Sequence, residues 1–343
     1  MKTVFSEDHR LHFPQAELYL GEFVTPFERP SRMEYVLRRL KARGFTEILD
    51  PDPLDLAPVH RVHDAGYLDF LETCWGEWVA AGARGEMIAT GMPLRRLHQD
   101  RIPRHIDGKL GYYTMATETA ITAGTWTAAQ ASAAVAQTAQ RLVAGGDRAA
   151  FALCRPPGHH ASSDQYGGYC FLNNAAIAAQ MFLDQGAARV AILDPDFHHG
   201  NGTQDIFYAR DDVLFASLHG DPRDAFPYFL GYADETGRGA GEGFNANYPL
   251  PAGTGFDVWR TALGDALARI GSFGPDALVV SLGVDTYKND PISFFKLESD
   301  DFRSYGGDIA RLGLPTLFVM EGGYAIEEIG VNTVNVLEGF SGA

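Results

Sequence analysis

The chain has 343 residues, 45% of them hydrophobic and 21% charged, which supplies the core of one large α/β unit and excludes disorder as the main state. Acidic residues outnumber basic ones 44 to 28, and the resulting charge of −16 repels phosphate backbones and favours small cationic ligands, although such acidity also serves solubility alone. Three cysteines without metal-type spacing exclude a disulfide framework, and no stretch approaches the roughly 18 apolar residues of a membrane span; a soluble cytoplasmic protein without nucleic-acid or membrane partners is expected.

In chain order, the first predicted helix begins at residues 31–34 (SRME), which read as a capping box before the apolar stripe of EYVLRRLKA. His60 and His63 fall in an apparent helix with apolar neighbours and read as structural. Residues 83–108 show neither helical nor strand period and carry glycine, proline and much positive charge, which predicts an ordered excursion shaping an entrance or an interface. Further helices are predicted at 124–144, 173–185, 255–271 and 299–312. Between them lie short apolar runs at 149–154, 189–193, 213–218, 277–282 and 315–320, which read as buried parallel strands. The absence of repeats and linkers predicts a single α/β domain over 1–343, a mainly parallel sheet flanked by helices.

Each of the five runs ends in potentially reactive residues: RPPGHH, DPDFHHGNGTQ, HGD, GVD and EGGY. Ligands of open parallel sheets bind outside the carboxyl ends of the strands, so these segments are predicted to converge. Asp196, His198 and Asp285 can offer two carboxylates and one imidazole to a divalent metal, leaving positions open as catalytic sites do. His159 and His160 follow a rigid Pro-Pro-Gly turn and can take a proton from water and return one to a leaving amine. Asp194 and Asn201 can set their tautomers, and Tyr324 can stabilise a developing oxyanion. His199 reads as orienting the metal loop, His219 is ambiguous, Lys288 and Lys296 read as solvated, and Cys170 lacks a paired base.

The motifs RPPGHHA, GGYCFLNNAAIAA, DPDFHHGNGTQDIFY, SLHGDP, GVDTYKNDPISFFKL and MEGGY closely resemble the histone deacetylase superfamily with the arginase-like fold, over nearly the whole chain. Within it the match is best to bacterial acetylpolyamine amidohydrolases, on the 83–108 excursion, RIPRHIDGKLGYY and FPYFLGYADETG. The resemblance implies zinc at Asp196, His198 and Asp285, His159 and His160 as tandem base and acid with Asp194 and Asn201 as partners, and Tyr324 as the electrophilic tyrosine. It further implies a narrow tunnel flanked by Tyr169 and Phe226, with Ile292 near its wall. Structural potassium or sodium is implied at Asp194, Asp196, His198, Ser217 and Leu218, and at Phe207, Arg210 and Val213.

By the same resemblance, residues 83–108 help build a homodimer and narrow the tunnel mouth, and Glu17, Asp107 and Glu118 receive the distal ammonium of a small acetylated amine. Two departures stand out: Asp107 where the family often has glutamate, and Pro195 between the two aspartates of the metal motif. Rival expectations are an acetyl-lysine peptide deacetylase, which shares the catalytic residues, a two-metal ureohydrolase, and a non-catalytic scaffold for acetylated ligands. An Asp₂His site also accepts iron or cobalt.

Overall fold

The computed structural model describes residues 1–94 and 99–342; part of the predicted 83–108 excursion, residues 95–98, lies outside them. Before the excursion come β1 (Lys2–Val4), β2 (Glu17–Tyr19), β3 (Glu22–Val24), α1 (Ser31–Ala42), β4 (Ile48–Leu49), α2 (Leu56–Val62) and α3 (Ala65–Ala80). After it follow α4 (Ile106–Tyr113), α5 (Thr125–Ala144), β5 (Ala149–Ala152), α6 (Asn174–Asp184), β6 (Val190–Asp194), α7 (Asn201–Phe207) and β7 (Val213–Gly220). The chain closes with β8 (Asn245–Leu250), α8 (Phe256–Phe273), β9 (Ala277–Leu282), α9 (Ser299–Ala310), β10 (Thr316–Met320) and α10 (Glu328–Ser341).

Eight strands form one parallel sheet in the order β4-β1-β5-β10-β9-β6-β7-β8. Its strands are apolar at successive positions because both faces are covered. On β6, Val190 and Ile192 pack with α5 and α6, whereas Ala191 and Leu193 join the core under α1, α8, α9 and α10. The five predicted runs become β5, β10, β9, β6 and β7, which are adjacent at the centre of the sheet. All five parallel carboxyl ends therefore open on one edge.

Local expectations fared less evenly. α1 starts at residue 31, but Ser31 is its first helical residue and not its cap: Pro30 precedes it without a side-chain capping bond. Glu34 is drawn instead to Arg10, 2.7 Å away. A reciprocal capping box does occur, at α9, between Glu298 and Asp301. The excursion is not wholly aperiodic, since α4 begins at Ile106, with the His105 ring accepting from the Asp107 amide. His60 is exposed on α2, whereas His63 is buried beyond its end, its ring joining the Ser162 carbonyl to the Asn173 amide. The short strands β1, β4 and β8 and the antiparallel β2–β3 hairpin carry too little apolar pattern to announce themselves. Pro249 is tolerated in β8 because β8 is an edge strand.

Candidate active site

The loop after β5 presents the two histidines. His159 Nδ1 donates to Asp194 Oδ2 at 3.0 Å, since an ionised carboxylate can only accept, and this aims Nε2 away from the sheet. His160 Nδ1 donates to Asn201 Oδ1 at 2.6 Å, and the Asn201 amide in turn donates to the His160 carbonyl, which settles its orientation. The ring centroids are 4.1 Å apart. Gly168, at φ +55°, makes room for them: a Cβ there would lie 2.2 Å from the His160 ring. The next residue, Tyr169, also takes a positive φ of 67°, unusual for a side chain of its size.

Their surroundings give the histidines different acidities. Burial disfavours the charged form of His159, but Asp194 and Asp196 outweigh it and hold the imidazole up at about 10. Burial and the neighbouring His159 and His198 hold His160 below the ordinary histidine range.

Asp196 and His198, just beyond β6, meet Asp285, beyond β9, with one potential ligand atom from each within 4.8 Å of the others. His198 Nδ1 lies 2.9 Å from Asp285 Oδ2 and 3.4 Å from Asp196 Oδ1. All three residues are buried. Their remaining oxygens are held by backbone donors: Phe197 N on Asp285 and Gly322 N on Asp196. A Cβ at Gly283 or Gly322 would lie 1.9 or 2.5 Å from the Asp196 or Asp285 carboxylate, so the cradle is closed to anything bulkier than glycine. Two carboxylates and an imidazole, converging in a buried pocket, suit a divalent cation with positions left for water and substrate. Pro195 leaves this convergence intact, and Asp194 still accepts the Asp196 amide at 3.2 Å.

Tyr324, after β10, is buried, with the Arg32 guanidinium 4.9 Å from its ring centroid and Tyr169 5.8 Å away. Burial keeps its hydroxyl protonated, well above the usual tyrosine range. A cleft of about 440 Å³ reaches down to this cluster, lined by Glu17, Glu118, His160, Tyr169, His198, Phe226, Ile292 and Tyr324. Glu17 Oε1 accepts from the Tyr169 hydroxyl at 3.1 Å, and burial pushes its carboxyl up to about 7. Burial also raises Glu118, which accepts from the Gly168 amide at 3.0 Å.

Asp107 is not brought to the cleft. It sits in the first turn of α4, where both carboxylate oxygens accept from the Thr90 hydroxyl. Ser217 pairs in register with Asp194, which places Leu218 beside the same loop, while Phe207, Arg210 and Val213 lie together between α7 and β7. The His199 and His219 rings lie 4.5 Å apart and tilted beside the loop after β6, and both are buried and hydrogen-bonded. Cys170 is buried with its thiol pushed up by burial, consistent with an inert role.

Several supporting residues escaped the sequence reading. Glu321 Oε2 accepts from the Gly158 and His159 amides at 2.6 and 3.1 Å. Arg32 donates to the carbonyls of Glu321 and Gly323, and Glu28 joins Arg32 to the buried Arg155. Asp290 accepts from the Tyr324 and Ala325 amides. Glu321 is the glutamate of MEGGY, and a glutamate directly after an apolar strand is a usable signal. Nothing in the sequence joined Glu28 to Arg155.

The family model of the histone deacetylase domain matches residues 26–340. The chain is 62% identical to acetylpolyamine amidohydrolase 1 of Pseudomonas aeruginosa, over 100% of this chain and 99% of that one. It is 59% identical to an acetylpolyamine amidohydrolase of Mycoplana ramosa, over the whole of both chains. The crystal structure of an acetylpolyamine aminohydrolase from Burkholderia pseudomallei superposes with a TM-score of 0.94 at 42% identity, covering 99% of this chain and 98% of the other.

Proposed function

The chain belongs to the histone deacetylase domain family, and from that premise we propose that it is a zinc-dependent amidohydrolase that removes acetyl groups from small acetylated polyamines, releasing acetate and the free amine. The observation that carries the reading is the meeting of a buried Asp₂His cluster, a histidine pair and Tyr324 at one cleft whose lining also includes Glu17 and Glu118.

Asp196, His198 and Asp285 would hold the metal, which when bound supplies Lewis acidity to the acetyl carbonyl and lowers the pKa of water. A cation held there would offset Asp196, one of the three carboxylates (with Asp194 and Glu321) that keep His159 protonated, and would free its Nε2 to accept the proton of the attacking water. Tyr324 donates its hydroxyl hydrogen bond to the oxygen on which charge develops. The proton that His159 takes from water is the one the departing amine needs, and His160, whose ring centroid lies 4.1 Å from that of His159 and whose partner is a neutral amide, passes it on to the leaving nitrogen as the more acidic imidazolium of the pair. Glu17 and Glu118 attract the distal ammonium, which a peptide acetyl-lysine lacks at that position.

The remaining parts of this reading are potassium or sodium at the two sites around Asp194 and Arg210, a cytoplasmic location and a homodimer that narrows the mouth through residues 83–108. Supporting the dimer, Leu20, which lines the cleft, is 88% exposed, and Phe229, next to the lining residue Tyr228, is 78% exposed. The test is acetate release by the zinc-loaded protein from N-acetylputrescine, N-acetylcadaverine, N8-acetylspermidine and an acetyl-lysine peptide. Fast release from the acetyldiamines with little from the peptide is expected. A preference for the peptide would retain the chemistry and overturn the assignment of Glu17, Glu118 and the 83–108 loop.

A further inference from the structure

We propose that Asp290 is a positioning residue for Tyr324, tying it to the 291–294 wall of the cleft; the proposal rests on the amidohydrolase reading only in giving Tyr324 a role in turnover. Asp290 lies in the loop between β9 and α9 and is 6% exposed. Pro291 has no N–H, so the first donor downstream is Ile292, whose amide reaches Asp290 Oδ1 at 3.1 Å and closes a tight local turn. That bond engages one oxygen and leaves the other pointing across the loop. Oδ2 accepts from Tyr324 N at 2.7 Å and from Ala325 N at 3.3 Å.

The neighbouring backbone groups are accounted for by other partners. Gly322 N donates to Asp196, and the Glu321 and Gly323 carbonyls accept from Arg32. Asp290 is thus the anchor of the two amides that set where the Tyr324 side chain leaves the backbone. Two donors converging on one carboxylate oxygen fix the peptide's direction more tightly than a single bond. The same carboxylate holds Ile292, and both Ile292 and Tyr324 line the cleft. The wall that meets the substrate chain and the hydroxyl that meets its carbonyl are therefore in fixed register, at the sub-ångström tolerance that such groups need.

Asp290→Asn preserves shape, but it supplies one acceptor oxygen for two separate sets of donors. The measurement is steady-state kinetics with N-acetylputrescine for wild type, D290N, Y324F and D290N/Y324F, with bound metal quantified in each. D290N is expected to lose about 30-fold in kcat with KM within about twofold and metal content unchanged. The same substitution should cost less than about threefold once Tyr324 is Phe, because the hydroxyl it positions is gone. An equal loss in both backgrounds, or a kcat within about twofold of wild type, overturns the proposal.

Hydrogen exchange on the metal-free protein tests the clasp without turnover. Amides 324 and 325 should exchange at least about tenfold faster in D290N while those of α10 stay unchanged; unaltered exchange at 324 and 325 also overturns it. If the wild type releases no acetate from any substrate, the functional reading fails and exchange alone decides the clasp. Should D290N not fold, Asp290→Glu, which moves the carboxylate by one methylene, carries the same measurements.

Discussion

The floor and the rim of the cleft are built by different means. On the floor, Asp196, His198, Asp285, His159, His160 and Tyr324 are buried, each follows the end of a central strand by no more than eight residues, and each is held by a named protein partner. The rim is carried by short segments: Glu17, itself buried and bonded to Tyr169, stands on a three-residue hairpin strand, Glu118 lies in the segment between α4 and α5, and Leu20 and Phe229 face outward. A floor so fixed maintains one chemistry, whereas a rim of short segments can change substrate without disturbing it. Residues placed by the sheet should therefore govern kcat, and residues placed by the loops should govern KM and substrate preference.

The sharpest break of that division would come from the floor. Tyr324→Phe should lower kcat for N-acetylputrescine by on the order of 10²- to 10³-fold while bound metal and melting temperature stay near those of wild type, as for removal of one oxyanion donor. Retained turnover would place the oxyanion elsewhere. At the rim, Glu17→Gln should raise KM for the acetyldiamine by about tenfold, an exchange of one ammonium–carboxylate attraction worth about 1.4 kcal/mol, and leave the peptide's KM unchanged.

The pH dependence distinguishes the regions further. Burial raises the Glu17 carboxyl to about 7, so its negative charge is present at pH well above that value and is lost as pH falls through it. Affinity for the cationic substrate should weaken below pH 7 in wild type, with that limb absent from the Glu17→Gln profile of kcat/KM. The smallest effect is expected at Asp107, whose carboxylate is occupied by Thr90 away from the cleft. Asp107→Asn should change KM by less than about twofold in a monomeric preparation; a larger change confined to a dimeric one would mean that a second copy completes the rim.

The floor was legible in the sequence because its parts are local to strongly patterned elements. Apolar runs such as ALVVSL and PTLFVM mark strands buried on both faces, and a polar residue straight after such a run is committed to the sheet's carboxyl edge. The rim was less legible. β2 and β3 span three residues each, and Glu17 and Tyr169, 152 positions apart in the chain, meet through one hydrogen bond that no periodicity records. The α1 capping box failed for a related reason: residues 31–34 carry the pattern, but Glu34 found Arg10 rather than its own backbone.

Composition, the apolar runs and the residues at their ends determined by themselves a parallel α/β sheet and the set of groups that meet on it. Which groups are neighbours was decided by the order of the strands, which brings β5, β10, β9, β6 and β7 side by side although they are scattered through the chain. The tertiary structure alone decided how those groups are held: Asp290 under Tyr324, Glu321 under His159, and Glu28 between two buried arginines. These bonds form because a buried polar backbone cannot be left unpaired, and the side chain that satisfies it is whichever one the fold delivers to that place.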